Sequence, residues 1–397
     1  MDPFALYIHI PFCERRCYYC DFNTTAGLQG RIPQYITALI NEFKSVARAS
    51  PNPIHARTIY AGGGTPSLVP LSEWERVFEV IHNEFRLDPD AEITLEANPR
   101  TVNLEYLKGL RRLGFNRLSM GMQTANSNEL RLLGRSHGPW DVVQSVSWSR
   151  AAGFENLNLD LINGLPGQSL QSWQATVEAA LALGPDHLSI YGLTIEEGTP
   201  FGDWVARGLL QPPDDDVAAD QYEWTRERLD AAGFSQYEIS NWAGKKKGQR
   251  MMCRHNLQYW RLLPYLGFGM AAHGYVGAMR VANTTSIDEY ISIMLRGDRS
   301  DQPFPISPAA VTAEVLDTET QKQEYLMVSL RLTEEGVSRT TYRQRFNEEL
   351  EVRFGDQVNR FIHLELLERP ASYPDVLRLT RKGVLLGNLV FREFVGE

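Results

Sequence analysis

Three of the four cysteines fall in one short run, Cys13-Glu14-Arg15-Arg16-Cys17-Tyr18-Tyr19-Cys20. The spacing is Cys-x3-Cys-x2-Cys. Cysteine thiolates are the standard ligands of [4Fe-4S] clusters. Three thiolates on one loop wrap one cubane and leave its fourth iron without a protein ligand. That open iron can chelate a small molecule through an amine and a carboxylate. Structural zinc is the competing reading, but zinc sites take four ligands, usually as paired Cys-x2-Cys knuckles. The remaining cysteine, Cys253, is distant and alone.

The elements around this loop are those that would place it at a reactive face. Strand-like runs are Ala5–Ile10, Thr58–Ala61, Glu92–Ala97, Arg117–Met122, Asn156–Ile162 and His187–Tyr191. Helix-like segments alternate with them at Pro33–Arg48, Ser72–Glu84, Leu104–Arg112, Trp140–Ala152 and Leu170–Leu183. Ser72 followed by Glu75 reads as a capped helix start, and Gly114 and Gly153 sit where helices end. Six βα units imply a parallel sheet with right-handed crossovers. The fold class is therefore α/β, a partial (β/α)6 barrel with its active face at the strand C-termini. A dinucleotide-binding sheet is disfavoured, because no Gly-x-Gly-x-x-Gly follows the first strand.

The pattern changes twice. Pro212-Pro213-Asp214-Asp215-Asp216 marks a break, and after about residue 300 the chain turns helical and charged. The expected domains are 1–211 for the barrel, 212–300 for its extension and 301–397 for a C-terminal α+β unit. Helices at Thr318–Leu330, Thr340–Asn347 and Gln357–Leu367, with strands at Val376–Leu379 and Asn388–Phe394, give that unit a winged-helix outline. Such an outline alone does not imply DNA binding.

The totals narrow the function classes. The 397 residues are 43% hydrophobic and 22% charged, with a net charge of −9. A nucleic-acid binder is usually basic, so nucleic acid is not an expected partner. The basic run Lys245-Lys246-Lys247 with Arg250 reads as a solvated loop. No stretch reaches the roughly 20 apolar residues a membrane helix needs, and no secretory leader is evident. A cytoplasmic location is expected, where clustered cysteines signal metal or catalysis rather than disulfides.

Further segments add candidates. Gly62-Gly63-Gly64-Thr65-Pro66 follows a strand; glycines there allow a ligand to approach the backbone, or simply make a tight turn. Glu96 ends a strand, where a carboxylate can accept hydrogen bonds from ribose hydroxyls or stay solvated. Together with Tyr7-Ile8-His9-Ile10-Pro11-Phe12-Cys13, Cys20-Asp21-Phe22-Asn23, Gly121-Met122-Gln123, Leu133-Gly134-Arg135 and Asp160 through Gln168, these runs resemble the radical S-adenosylmethionine superfamily. The nearer resemblance is to the branch of oxygen-independent coproporphyrinogen III oxidases and HemW-type heme chaperones. It covers nearly the whole chain.

The resemblance implies a [4Fe-4S] cluster on Cys13, Cys17 and Cys20 with S-adenosylmethionine on the open iron. It implies nucleotide contacts from Tyr7, Gly63, Gly64, Thr65, Glu96, Gln123, Arg135 and Asp160. One departure divides the branch: the oxidases carry a further cysteine where this chain has Phe22, and the HemW-type chains share its loss. A second motif, Cys253-Arg254-His255-Asn256-Leu257-Gln258-Tyr259-Trp260, resembles the His-Asn-x-x-Tyr-Trp segment of the HemW type. By that resemblance His255 or Cys253 would ligate heme iron, and Tyr259 and Trp260 would wall the ring. The plain alternative is a structural turn with His255 hydrogen-bonded. His273 is a lesser candidate, read by default as a core histidine. The function so implied is heme binding and transfer to an acceptor protein that the sequence does not identify, a membrane-associated one among the options. The alternative is a radical oxidase acting on a porphyrinogen, against which Phe22 stands.

Overall fold

The computed structural model describes residues 2–297 and 301–395. The expected boundary at residue 300 lies outside the described residues. Strands β1 (Phe4–Ile10), β2 (His55–Gly63), β3 (Arg86–Ala97), β4 (Arg117–Gln123), β5 (Asn156–Asn163) and β6 (His187–Gly192) run parallel in that order. Antiparallel strands β7 (Ser235–Glu238) and β8 (Asn241–Ala243) extend the β6 edge, with β8 next to β6. On the other side β9 (Tyr265–Phe268) pairs parallel with β1, and β10 (His273–Val276), β11 (Met279–Asn283) and β12 (Ala310–Val315) follow antiparallel. The result is a curved, open sheet. Among the described residues β1 and β6 do not pair, so the barrel is partial, as the sequence predicts.

Each parallel strand carries a two-residue alternation that the barrel explains. Leu6, Ile8 and Ile10 join the helix-facing core with Ile36, Leu39 and Phe43 of helix Ile32–Ala49. The intervening positions are polar: Tyr7 and His9 on β1, Thr58 and Tyr60 on β2, Glu92, Thr94 and Glu96 on β3. They continue as Arg117 and Ser119 on β4, Asn158 and Asp160 on β5, and His187, Ser189 and Tyr191 on β6. Successive side chains of a strand point to opposite faces, so apolar residues meet the helices and polar ones line the lumen.

The predicted strands and barrel helices are present, with ends shifted by one to a few residues and β3 starting earliest, at Arg86. Ser72 does not cap its helix, which begins at Leu71 after Pro70 and has no side-chain cap. Gly114 does cap, at φ +109°, a left-handed conformation that glycine adopts without a Cβ penalty. The Lys245–Lys247 segment forms a small hairpin with Gln249–Arg250, and Lys246 and Lys247 reach Glu155.

A second apolar core belongs to the C-terminal part, from Leu316 through Phe394 with Leu262 and Tyr275. Its helices are Thr318–Ser329, Arg339–Phe346 and Leu350–His363. The third starts seven residues before the expected Gln357, because Leu350, Phe354, Val358 and Phe361 form one buried stripe. Asn388–Phe394, expected as a strand, is helix Gly387–Val395: Val390, Phe391 and Phe394 bury one helical face. The small sheet comes instead from Val337–Ser338, Leu367–Glu368 and Val376–Leu379.

Candidate functional site: a cysteine-rimmed barrel cavity

A cavity of about 430 Å³ opens at the C-terminal ends of the parallel strands. Cys13, Cys17 and Cys20 rim it, on the loop between β1 and helix Ile32–Ala49. The loop is pinned from several sides. The Gly64 and Thr65 amides donate to the Ile10 and Phe12 carbonyls, each at 2.8 Å. The Tyr18 amide donates to the Leu133 carbonyl at 3.1 Å, and the Phe201 amide to the Tyr18 carbonyl at 3.0 Å. Tyr18, Tyr19, Phe201 and Trp204 pack beneath it in a small apolar cluster.

The donors around the sulfurs suit thiolates. The Thr65 hydroxyl points at Cys13 Sγ across 3.7 Å, and Arg135 Nη1 donates to Cys17 Sγ at 3.4 Å. Burial raises the Cys13 and Cys20 thiols above their ordinary range, so bound iron has to displace their protons. Among the described residues no three His, Cys, Asp or Glu side chains converge on a single-ion position. A cubane does not require that convergence, since each thiolate takes a different iron.

The glycine run meets both of its sequence readings. Gly63 sits at φ +108°, and a Cβ on Gly64 would lie 2.7 Å from the Phe12 carbonyl oxygen. The glycines therefore let β2 and the cysteine loop close on each other, while Gly63, Gly64 and Thr65 still face the cavity.

Glu96 stands deeper. It accepts from the Tyr60 hydroxyl at 2.7 Å and the Gly63 amide at 3.1 Å. Burial pushes its carboxyl up to about 7; Asp160 adds to this, and Tyr60, Gly63 and Arg117 oppose it. Burial also raises Asp160, which accepts from Asn158 Nδ2 at 2.7 Å and from the Ser119 hydroxyl at 3.1 Å. Arg135 Nη2 donates to the Gly121 carbonyl at 3.1 Å, and its Nε is buried without a partner. Gln123 has φ +64°, an uncommon conformation for a residue with a Cβ, at a shift in strand register. Asn98 Oδ1 is a further buried polar atom at this cavity lacking a partner. Unpaired buried polar groups are costly, and here they surround a space that a polar ligand can fill.

The structure thus brings Cys13, Cys17, Cys20, Gly63, Gly64, Thr65, Glu96, Gln123, Arg135 and Asp160 to one cavity. Tyr7 is set behind it, with its hydroxyl 3.0 Å from His9 Nδ1 and its ring against Tyr60. Sequence reasoning missed Tyr60, Arg117, Ser119 and Tyr191, which also line the cavity. Their signal was the polar alternate position within otherwise apolar strands. Arg117 is 2% exposed and its Nε has no partner.

The His255 segment closes the floor. Helix Arg254–Trp260 caps the N-terminal end of the barrel, with Glu92 accepting from the Arg254 and His255 amides at 3.1 and 3.0 Å. A carboxylate at a helix N-terminus satisfies free N–H groups and the helix dipole. The two His255 ring nitrogens meet the Thr58 and Tyr259 hydroxyls, each at 2.8 Å, and the ring stacks on Tyr60. Burial, then Arg117, pushes the His255 imidazole down to about 3. Cys253 is fully buried and burial pushes its thiol up to about 12. Trp260 lies under the Arg331 guanidinium at 4.6 Å. His255, Tyr259, Trp260 and Cys253 therefore occupy packed positions in this conformation, and Asn256 is the motif residue facing the cavity. His273, expected in the core, is exposed on β10.

A curved parallel sheet with a three-cysteine loop at its open end is the architecture of a radical S-adenosylmethionine protein, and the superfamily's sequence pattern matches residues 7–180. The superfamily implies a [4Fe-4S] cluster and S-adenosylmethionine, and the donor set and unpaired polar atoms of this cavity fit both. The chain is 36% identical to the heme chaperone HemW of Bacillus subtilis over 99% of each chain. It is 42% identical to that of Escherichia coli over 70% of this chain and 71% of the relative. The fold is also that of the coproporphyrinogen III oxidase HemN of Escherichia coli, with a TM-score of 0.80, 24% identity, and coverage of 99% of this chain and 90% of that one. The chain belongs to the HemW family of the radical SAM superfamily.

Proposed function

We propose that this protein is a heme chaperone: it binds heme and hands it to an acceptor protein in the cytoplasm. The observation that carries the reading is the end-to-end likeness, 36% over 99% of both chains, to a protein named for that role. Among the described residues no helix is long and apolar enough to cross a membrane.

In this reading Cys13, Cys17 and Cys20 would hold the [4Fe-4S] cluster, and S-adenosylmethionine would bind beside it in the same cavity. When bound, that pair supplies a one-electron route to a carbon radical. Gly63, Gly64 and Thr65 border the methionine end, and Glu96 accepts from the ribose hydroxyls. Gln123, Arg135 and Asp160 line the rest of the nucleotide's space, and Tyr7 braces Tyr60 from behind. Residues 1–211 carry the cofactors, 212–300 extend the sheet at both edges and supply the helix that floors it, and the C-terminal unit from 301 docks on Trp260.

The test is anaerobic reconstitution of the full chain. A reduced-cluster electron paramagnetic resonance signal that changes on adding S-adenosylmethionine is expected. Hemin titration should give a saturable Soret shift, and coproporphyrinogen III should remain unconverted. Sustained porphyrinogen turnover without saturable hemin binding would overturn the reading in favour of the oxidase.

A further inference from the structure

The buried His-Asn-x-x-Tyr-Trp segment leaves a tetrapyrrole without a place at the barrel floor. His255 is 1% exposed with both nitrogens engaged, and Cys253 is fully buried. Opening that floor would strip partners from Thr58, Tyr259 and Glu92 together. The opposite end of the same cavity has the reverse character. Phe22, two residues beyond the last cluster cysteine, lines the mouth and is 61% exposed. Tyr191 at the end of β6 lines the same cavity and is 44% exposed, with Leu193 and Ile162 beside it. Exposed aromatic surface lining a cavity is a place for a flat apolar ligand.

Charge completes the pattern. Arg15 and Arg16 lie exposed on the same lip, and among the described residues neither has an ion-pair partner. Arg15 lies over the Tyr18 ring at 5.0 Å, and Arg16 Nη2 donates to the Phe22 carbonyl at 3.5 Å. Asp21 and Glu196 are the carboxylates of the lip and balance the two arginines in formal charge, but neither pairs with them. Heme is a flat apolar macrocycle with two carboxylates at one edge. Exposed aromatic surface and two guanidiniums without ion-pair partners, Arg15 also donating to the Tyr18 hydroxyl, match that shape and charge, since Arg pairs with carboxylates through a planar fork.

We infer that heme docks at the mouth of the cavity, its ring against Phe22 and Tyr191 and its carboxylates on Arg15 and Arg16, above the cluster rather than at His255. This rests on the heme-chaperone reading and gives it a site. It also gives Phe22 a role: the aromatic at this position offers the ring a wall.

The experiment is hemin titration of the reconstituted full chain, followed by the Soret band, in wild type, Phe22→Ala and Arg15→Gln/Arg16→Gln. These side chains are exposed, and unchanged cluster electron paramagnetic resonance confirms that each variant is intact. Phe22→Ala should weaken hemin about tenfold, the size of a single aromatic stacking interaction. The double arginine variant should bind hemin about tenfold more weakly and leave hemin dimethyl ester, which lacks the charges, unaffected. Wild-type affinity in both variants would overturn the site while leaving the chaperone reading intact. Failure of the wild type to bind hemin would sink the chaperone reading first, so the two failures are distinguishable.

Discussion

Glu96 shows how a single buried carboxylate can make cofactor binding depend on pH. An acid whose pKa rises on folding holds its proton in the folded chain across the interval between its ordinary value and the raised one. Here that interval runs from 4.5 to about 7. The ionised form is disfavoured by burial, so in the ligand-free chain this group subtracts stability as pH rises through the interval. A ribose hydroxyl donating to the carboxylate favours the ionised form. S-adenosylmethionine should therefore bind about tenfold more tightly at pH 8 than at pH 6, a one-proton linkage. Equilibrium dialysis across that range should give a slope that Glu96→Gln flattens; a flat wild-type profile counts against the contact. Arg135 carries a second prediction at the residue scale. Its Nη1 lies 3.4 Å from Cys17 Sγ, and a cation there favours the more negative, reduced cluster. Arg135→Gln should lower the cluster midpoint by roughly tens of millivolts, since charge and hydrogen bonds to sulfur set such potentials. An unchanged midpoint in a redox titration would exclude that coupling.

At the scale of elements, the closure of β2 onto the cysteine loop depends on residues with no side chain. A Cβ at position 64 would lie 2.7 Å from the Phe12 carbonyl oxygen and 2.9 Å from that of Ile10. Both obstacles are backbone, so they cannot swing away. Gly64→Ala should cost about 1–3 kcal/mol, as overpacking does, and should loosen the loop enough to lower iron occupancy after reconstitution. Thermal melting and iron analysis check both; a variant that melts and loads like wild type would show that the loop shifts freely. Helix Gly387–Val395 is decided differently. Its short apolar run also reads as a strand, and only the packing of Val390, Phe391 and Phe394 on one face selects the helix.

Across the whole molecule, one buried carboxylate ties the first helix to the antiparallel extension. Glu42, fully buried on helix Ile32–Ala49, accepts from the Gly269 amide at 2.7 Å, Asn283 Nδ2 at 2.6 Å and the Tyr290 hydroxyl at 2.6 Å, with Ser307 as a fourth donor. Glu42→Ala leaves four neutral donors without their acceptor and should cost about 3–5 kcal/mol, since each buried donor left unsatisfied costs about 1–3 kcal/mol. Chemical denaturation should show the loss as a lower midpoint; a midpoint within error of wild type would mean that water replaces the carboxylate.

The sequence by itself determined the cysteine loop, the six βα units and most cavity candidates. These are local facts: Cys-x3-Cys-x2-Cys is a spacing, and a strand announces itself through apolar alternation. The polar alternate residues of β1 to β6 were equally visible, and reading them as one lumen would have supplied Tyr60, Arg117, Ser119 and Tyr191. Only the tertiary structure decided the fate of the His255 segment. Whether an imidazole is free for iron depends on what faces its two nitrogens. Those partners, Thr58 on β2 and Tyr259 one helical turn away, are brought together by the helix seating under the barrel. The same folding brings Phe22 and Tyr191, far apart in the chain and both exposed, to the lining of one cavity, which no spacing records.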